Sequence, residues 1–143
     1  MISYSLPFDK VTLRPLDALS PDLLQTWQNT PVIRDSVRGF RFPVQLESVV
    51  GWIETRRHNN GRNEAAFSIF YQESGVGACF LRDIDWVNQT AFFGIYIGAQ
   101  SSQSKGVGHC ASTLLLDYAF NALNLRRVAL EVIATNTKAI RLY

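Results

Sequence analysis

Cysteine is scarce in this sequence, with Cys79 and Cys110 the two in 143 residues. Neither has a second Cys or a His at the spacing that a zinc finger or ribbon needs, so a zinc-built domain is excluded and both thiols read as reduced packing residues. The two histidines, His58 and His109, stand apart from each other and from any glutamate at metal-ligand spacing, and read as surface residues. No metal is expected. Long apolar runs are missing too. Stretches such as Ala91 to Ile97 fall far short of the roughly 20 residues of a membrane helix, and Asp9 and Lys10 interrupt the N-terminus before a signal-peptide core develops. The expected location is the cytoplasm, with no membrane partner. Nor does charge of one sign dominate: 14 Lys and Arg against 12 Asp and Glu leave a net +2. That is too little to track a nucleic-acid backbone, so no nucleic-acid partner is expected and any anionic ligand must be held locally.

What is present is a globular composition, 47% hydrophobic and 18% charged, in a length that suits one domain, residues 1–143, with room for a sizeable core. Val11 to Arg14 alternates apolar and polar and stops at Pro15, which predicts a short strand. Ser20 is an N-cap candidate with Pro21 at the first helical position, followed by the apolar stripe Leu23, Leu24 and Trp27. Leu46, Val49, Val50 and Ile53 then recur at helical spacing up to Asn59, Asn60 and Gly61. The period changes in the middle of the chain. Ala65 to Tyr71, Val76 to Ile84 and Ala91 to Ile97 are aromatic and β-branched, separated by Glu73-Ser74-Gly75 and Val87-Asn88-Gln89, and predict a three-stranded antiparallel meander. A third helix is expected from about His109 to Leu123, with Ala111, Leu114, Leu115, Tyr118, Ala119 and Ala122 on one face and Leu116, Phe120 and Leu123 widening the apolar surface. Val128, Leu130 and Val132 alternate in a last strand, which a strand–helix–strand crossover makes parallel to the one before the helix.

Two stretches carry chemistry. The first is Gln103-Ser104-Lys105-Gly106-Val107-Gly108, at the junction of the Ile95 to Ile97 strand and the third helix. Glycines there let the backbone approach a ligand and turn N–H groups outward, while the helix N-terminus adds partial positive charge, so a pyrophosphate can be held without an arginine cluster. The stretch lacks the Gly-Lys-Ser/Thr ending of a Walker loop and the three glycines of a dinucleotide fingerprint. The second runs from Leu130 through Glu131, Asn136, Ala139 and Leu142 to Tyr143.

Together they resemble the GNAT superfamily of acyl-CoA-dependent N-acetyltransferases. Its Gln/Arg-x-x-Gly-x-Gly/Ala loop is met by Gln103, Gly106 and Gly108, and its Asn-x-x-Ala-x-x-Leu-Tyr pattern by Asn136, Ala139, Leu142 and Tyr143. The entry Leu13-Arg14-Pro15-Leu16 is similar to the subgroup of ribosomal-protein N-terminal acetyltransferases. Trp27-Gln28-Asn29 and Phe93-Gly94-Ile95-Tyr96 are similar to acetyltransferases of amino-sugar nucleotides and polyamines. The resemblance implies a mixed α/β (α+β) fold, a mostly antiparallel central sheet with a splayed parallel strand pair, flanked by helices. It also implies acetyl-CoA as co-substrate. Main-chain amides of Ser104, Lys105, Gly106, Val107, Gly108 and His109 would hold its pyrophosphate, the main chain of Ile95, Tyr96 and Ile97 would pair with pantetheine, and Asn136 would bind the pantetheine amide.

An alkyl amine is mostly protonated at neutral pH, so a carboxylate or a water chain must remove its proton before nitrogen attacks the thioester. Glu131 stands where some family members carry that base, with Asp85 the other candidate; Tyr143 would return a proton to the sulfur. An N–H at the splayed strand end would stabilise the oxyanion. The expected activity is acetyl transfer to the primary amine of a small molecule, an amino-sugar nucleotide or a peptide N-terminus; the alternative is a non-catalytic acyl-CoA-binding or regulatory module. Arg38 and Arg41, within Arg34 to Phe42, are candidates for the acceptor wall and would favour an anionic acceptor. The resembling family continues past its tyrosine with a Glu-Lys-x-Gly-Phe segment and two further strands that are lacking here. The expectation is therefore either a longer natural chain or pairing through an open strand edge into a homodimer.

Overall fold

The computed structural model describes residues 2–5, 10–31, 33, 42–99 and 106–130. Along the chain run β1 (Ile2–Ser5), β2 (Lys10–Pro15), α1 (Pro21–Asn29), α2 (Leu46–Asn59), β3 (Ala65–Tyr71), β4 (Ser74–Asp85), β5 (Thr90–Ile97), α3 (Val107–Asp117) and β6 (Arg127–Leu130). The strands form one sheet in the order β1-β2-β3-β4-β5-β6. Its neighbours are antiparallel except β5 and β6, which run parallel from Thr90↔Arg127 to Phe93↔Leu130. This is the expected mixed sheet with one parallel pair. The expected continuation of β6 to Ala134 lies outside the described residues.

Local chemistry explains the boundaries. Ser20 Oγ accepts from Leu23 N at 3.2 Å and Pro21 opens α1, an N-cap that satisfies an otherwise orphan amide. At the far end of α1, the Asn29 side chain donates to Val44 O at 2.8 Å and accepts from Val44 N at 2.7 Å, tying the approach to α2. Arg56, Arg57 and His58 fill the last turn of α2, where cations complement the helix dipole. Arg56 also pairs with Glu64 at 2.7 Å across the following turn.

Three boundaries differ from the sequence reading. The β3–β4 turn is Gln72-Glu73, both left-handed at φ 51° and 65°, with Tyr71 opposite Ser74. Two positive φ values in a two-residue loop match the strand twist, so Ser74 and Gly75 belong to the strand. A bulge follows at Ile69/Phe70. The third helix starts two residues early, at Val107, because Gly106 is left-handed at φ 80° and serves as its N-cap. Beyond Asp117 it loosens into a π turn, Tyr118–Ala122, which leaves Phe120 41% exposed rather than packed. β1, absent from the sequence reading, pairs Ile2 with Leu13.

The sheet has two covered faces. On one, Val11, Leu13, Ile69, Cys79, Leu81 and Phe93 pack with Val107, Cys110, Ala111, Leu114 and Leu115 of α3. On the other, Phe70, Ala78 and Tyr96 pack with Leu24 and Trp27 of α1 and Val49 of α2. Both cysteines are free and buried. Burial pushes both thiols up from their ordinary value, which marks them as packing groups rather than nucleophiles. Among the described residues no helix is long and apolar enough to cross a membrane, and no group of His, Cys, Asp or Glu is arranged to hold a metal ion.

Candidate active site

β5 ends at Ile97 and α3 begins at Val107, and these two residues share the α3-side core cluster. Beyond Ile97, the Gly98 and Ala99 amides donate to the Val76 carbonyl at 2.8 and 3.1 Å, so the chain stays bound to β4 for two residues past the strand. A Cβ on Gly98 would run into the Trp27 ring. Glycine is required there so that α1 can close on the strand end. Trp27 also meets Tyr96 edge to face, with centroids 6.3 Å apart.

At the start of α3, Cys110 N donates to Gly106 O at 3.1 Å, the first bond of the helical ladder. The amides of Val107, Gly108 and His109 precede it, and Gly106 has no side chain with which to cap them. The first turn carries no acidic residue. Val107 is 1% exposed and anchors the turn in the core, while Gly106 and His109 are exposed. Amides with no intrahelical partner, aligned with the helix dipole, form a site for an anion.

Alternation along β5 sets the environment of the three residues expected to flank pantetheine. Ile95 and Ile97 pack toward the α3 cluster, whereas Tyr96 points to the opposite face and is 4% exposed. Burial raises the Tyr96 phenol well above its ordinary value, opposed in part by the Gln28 amide. Gln28 is itself 2% exposed. Gln28 and Tyr96 both stand in stretches that carried the family resemblance, but nothing in the sequence pairs them with each other. Tyr96 therefore offers main-chain groups, not its hydroxyl, to anything lying along the strand.

Of the expected site residues, Ile95 and Ile97 share a core cluster with Val107, with Tyr96 between them on β5 and Gly106, Gly108 and His109 flanking Val107 at the start of α3. Gln103, Ser104, Lys105, Glu131, Asn136 and Tyr143 lie outside the described residues, as do Arg38 and Arg41. Phe42, at the edge of the expected acceptor wall, is 82% exposed. Asp85 requires correction. It sits at the β4–β5 turn, the opposite end of β5 from Ile97, roughly 25 Å away at the usual strand rise. Its carboxylate accepts from Val87 N and Asn88 N at 3.0 Å and from Asn88 Nδ2 at 2.8 Å. The bonds from Asn88 hold its pKa below the ordinary carboxylate value. A turn-capping carboxylate stabilised in its charged form is neither placed nor tuned to deprotonate an amine at the other end of the sheet.

The chain is an α/β domain in which a helix start without a side-chain cap follows the end of a strand, an arrangement able to hold an anion. Comparison with known proteins narrows that class: the acetyltransferase (GNAT) domain model matches residues 10–143, and the chain belongs to that family. The chain is 36% identical over 72 residues to the spermidine N(1)-acetyltransferase of Vibrio cholerae, a match covering 50% of this chain and 41% of that protein. It is 29% identical over 138 residues to the N-acetyltransferase p20 of Bacillus licheniformis, covering 94% of this chain and 76% of that one. Among solved structures, the Vibrio cholerae spermidine N-acetyltransferase in complex with CoA and spermine matches with a TM-score of 0.81 and 28% identity, over 93% of this chain and 77% of that one. The ribosomal alpha-N-protein acetyltransferase RimL in complex with CoA shares the fold, with a TM-score of 0.83 at 17% identity. The match to the spermidine acetyltransferase of Vibrio cholerae thus spans about four-tenths of that relative's length.

Proposed function

We infer that the protein is an acetyl-CoA-dependent N-acetyltransferase acting on a primary amine by direct attack in a ternary complex. The observation that carries this reading is the uncapped N-terminus of α3, opened by left-handed Gly106 beside the end of β5, in a chain of the GNAT family. The amides of Ser104 through His109 would cradle the pyrophosphate, with Gln103 and Lys105 adding a polar and a charged side chain. The main chain of Ile95 to Ile97 would pair with pantetheine and Asn136 would bind its amide.

Glu131 takes the role of general base through water and Tyr143 that of general acid at the departing sulfur. A phenol is neutral at working pH and can donate where a thiolate forms. The acceptor is a small-molecule amine or a peptide N-terminus, and the place of action is the cytoplasm, which suits two reduced cysteines. No metal takes part in these steps.

The test couples binding to turnover. Acetyl-CoA at about 100 times its Kd should stabilise the fold by about 2.7 kcal/mol, and CoA should be released when a panel of amines is added. An unchanged melting temperature in saturating acetyl-CoA rejects the co-substrate; stabilisation without CoA release from any amine marks a binding module. Glu131→Gln should depress turnover most at low pH, and Tyr143→Phe should lower kcat, both sparing acetyl-CoA affinity.

A further inference from the structure

Helix α1 is nine residues long, too short to be stable alone, so its place is set by what its two sides touch. The inner side of its last turns carries Trp27 and Gln28. Trp27 is buried, meets Tyr96 edge to face and lies so close over Gly98 that a Cβ there would run into its ring. The outer side carries Gln25 and Asn29, one helical turn apart, and both reach the same residue.

Asn29 Nδ2 donates to Val44 O at 2.8 Å while Asn29 Oδ1 accepts from Val44 N at 2.7 Å, and Gln25 Nε2 donates to the same carbonyl at 3.2 Å. A side-chain amide pairs with the main chain at both its groups, across 15 residues of sequence. Val44 stands two residues before α2, and its side chain packs against the cluster that holds Leu24, Trp27, Val49 and Tyr96. The N-cap of α2, Gln45, makes no side-chain capping bond. The start of α2 is therefore tied to α1 rather than to its own cap.

Leu24 and Val49, both at 0% exposure, already join the two helices. Apolar burial is non-directional, however, whereas a two-point amide pair fixes rotation and register. That register matters at β5. α3 covers the face carrying Phe93, Ile95 and Ile97, so an amine meeting a thioester laid along this strand comes in on the face where α1 and α2 pack. Rotation of α1 would carry the Trp27 ring across Tyr96 and Gly98, at the end of that strand.

We propose that Asn29 is a positioning residue for the transfer: by pairing with Val44 it holds Trp27 against Tyr96 and Gly98, so that the α1 side of the amine's path keeps one shape. The proposal rests on the transferase reading above.

The experiment has two readouts. Trp27 emission is followed in a chain carrying Trp52→Phe and Trp86→Phe, which removes the other two of the three tryptophans. Adding Asn29→Ala should shift that emission to the red and open it to acrylamide quenching. Steady-state acetylation of spermidine and of phenethylamine reads the consequence. Asn29→Ala should raise the amine KM by about tenfold, the equivalent of one to two net hydrogen bonds, and leave the acetyl-CoA KM in place, since the pyrophosphate is held at α3. Gln25→Ala, which removes the longest of the three bonds and keeps the pair, should raise it by about threefold. In a Trp27→Leu chain, Asn29→Ala should add nothing to the amine KM, because the residue acts through that ring. An Asn29→Ala protein with a lower melting temperature but wild-type Trp27 quenching and amine KM overturns the proposal and leaves a clasp that serves stability alone. An equal rise in KM with and without Trp27 overturns it too. Should Asn29→Ala fail to fold, Gln25→Ala carries the same two readouts. Acetyl-CoA binding with no CoA release from any amine overturns the transferase reading and the proposal together.

Discussion

The two faces of the sheet are built from different materials. The α3 face is mostly aliphatic, with the thiols of Cys79 and Cys110, the buried rings of Tyr71 and Phe93, and Leu13, Ile69, Leu81 and Leu115 at 0% exposure. The face toward α1 and α2 is aromatic, with Trp27, Trp52, Phe80 and Tyr96 meeting edge to face or tilted. It buries the polar Gln28–Tyr96 pair and leaves Phe80, Phe92 and Gly94 half-open. One face is a closed core whose worth is stability. The other is less closed, and its aromatic contacts and close backbone approaches set the shape of the part left open. β5 contributes to both, and its alternation keeps the two tasks on opposite sides of one backbone.

The largest test of this division is a cavity on the closed side. Leu115→Ala should cost about 3 kcal/mol in chemical denaturation, with KM values of the surviving folded enzyme unchanged. Overpacking on the open side should do the reverse. Gly98→Ala pushes against Trp27 and should cost about 2 kcal/mol while raising the acceptor KM, since α1 must shift to make room. Replacing Trp27 by Leu in the same chain should recover part of that loss, a coupling expected only if the two residues interact directly. A smaller effect is expected at the helix start. Gly106→Ala forces an L side chain into the left-handed region at about 1 kcal/mol and should halve or abolish the thermal protection given by acetyl-CoA.

Much of this arrangement was legible in the sequence because single residues announce it. Ser20-Pro21 signals a helix start, Asn59-Asn60-Gly61 an end, and the aromatic, β-branched runs around Phe67, Cys79 and Phe93 signal a meander whose register the structure shows directly. Other features depend on partners that a linear reading cannot supply. Ile2–Ser5 is four residues long and becomes a strand only because β2 offers it an edge. Gln72-Glu73 turns the chain without glycine, since two residues can take positive φ when the flanking ladder holds them. Asp85 looked like an available carboxylate until the fold put it at the wrong end of β5. The steric need for Gly77 and Gly98 is visible only once Tyr96 and Trp27 are beside them, because a strand glycine reads the same in the sequence whatever requires it.

The smallest effect distinguishes the faces by pH. Each carries buried titratable groups whose ionisation the fold suppresses, Cys79 and Cys110 on the closed side and Tyr96 on the open side. The ordinary values are 9.0 for the thiols and 10.0 for the phenol, and all are raised by burial. The unfolded chain therefore releases these protons first as pH rises. Stability is complete below pH 9, begins to fall as the unfolded thiols ionise, and falls more steeply above pH 10 as the unfolded phenol joins them. Each group steepens the descent by at most about 1.4 kcal/mol per pH unit. Denaturation curves from pH 8 to 11 should accordingly show two onsets. Cys79→Ala should weaken the one near pH 9, to which Cys110 also contributes, and leave the later one, whatever its cavity costs at neutral pH, because the slope reports protons and the offset reports packing. Tyr96→Phe should do the converse. A Cys79→Ala protein that still loses stability from pH 9 with the wild-type slope would show that this thiol ionises as readily in the folded core as outside it.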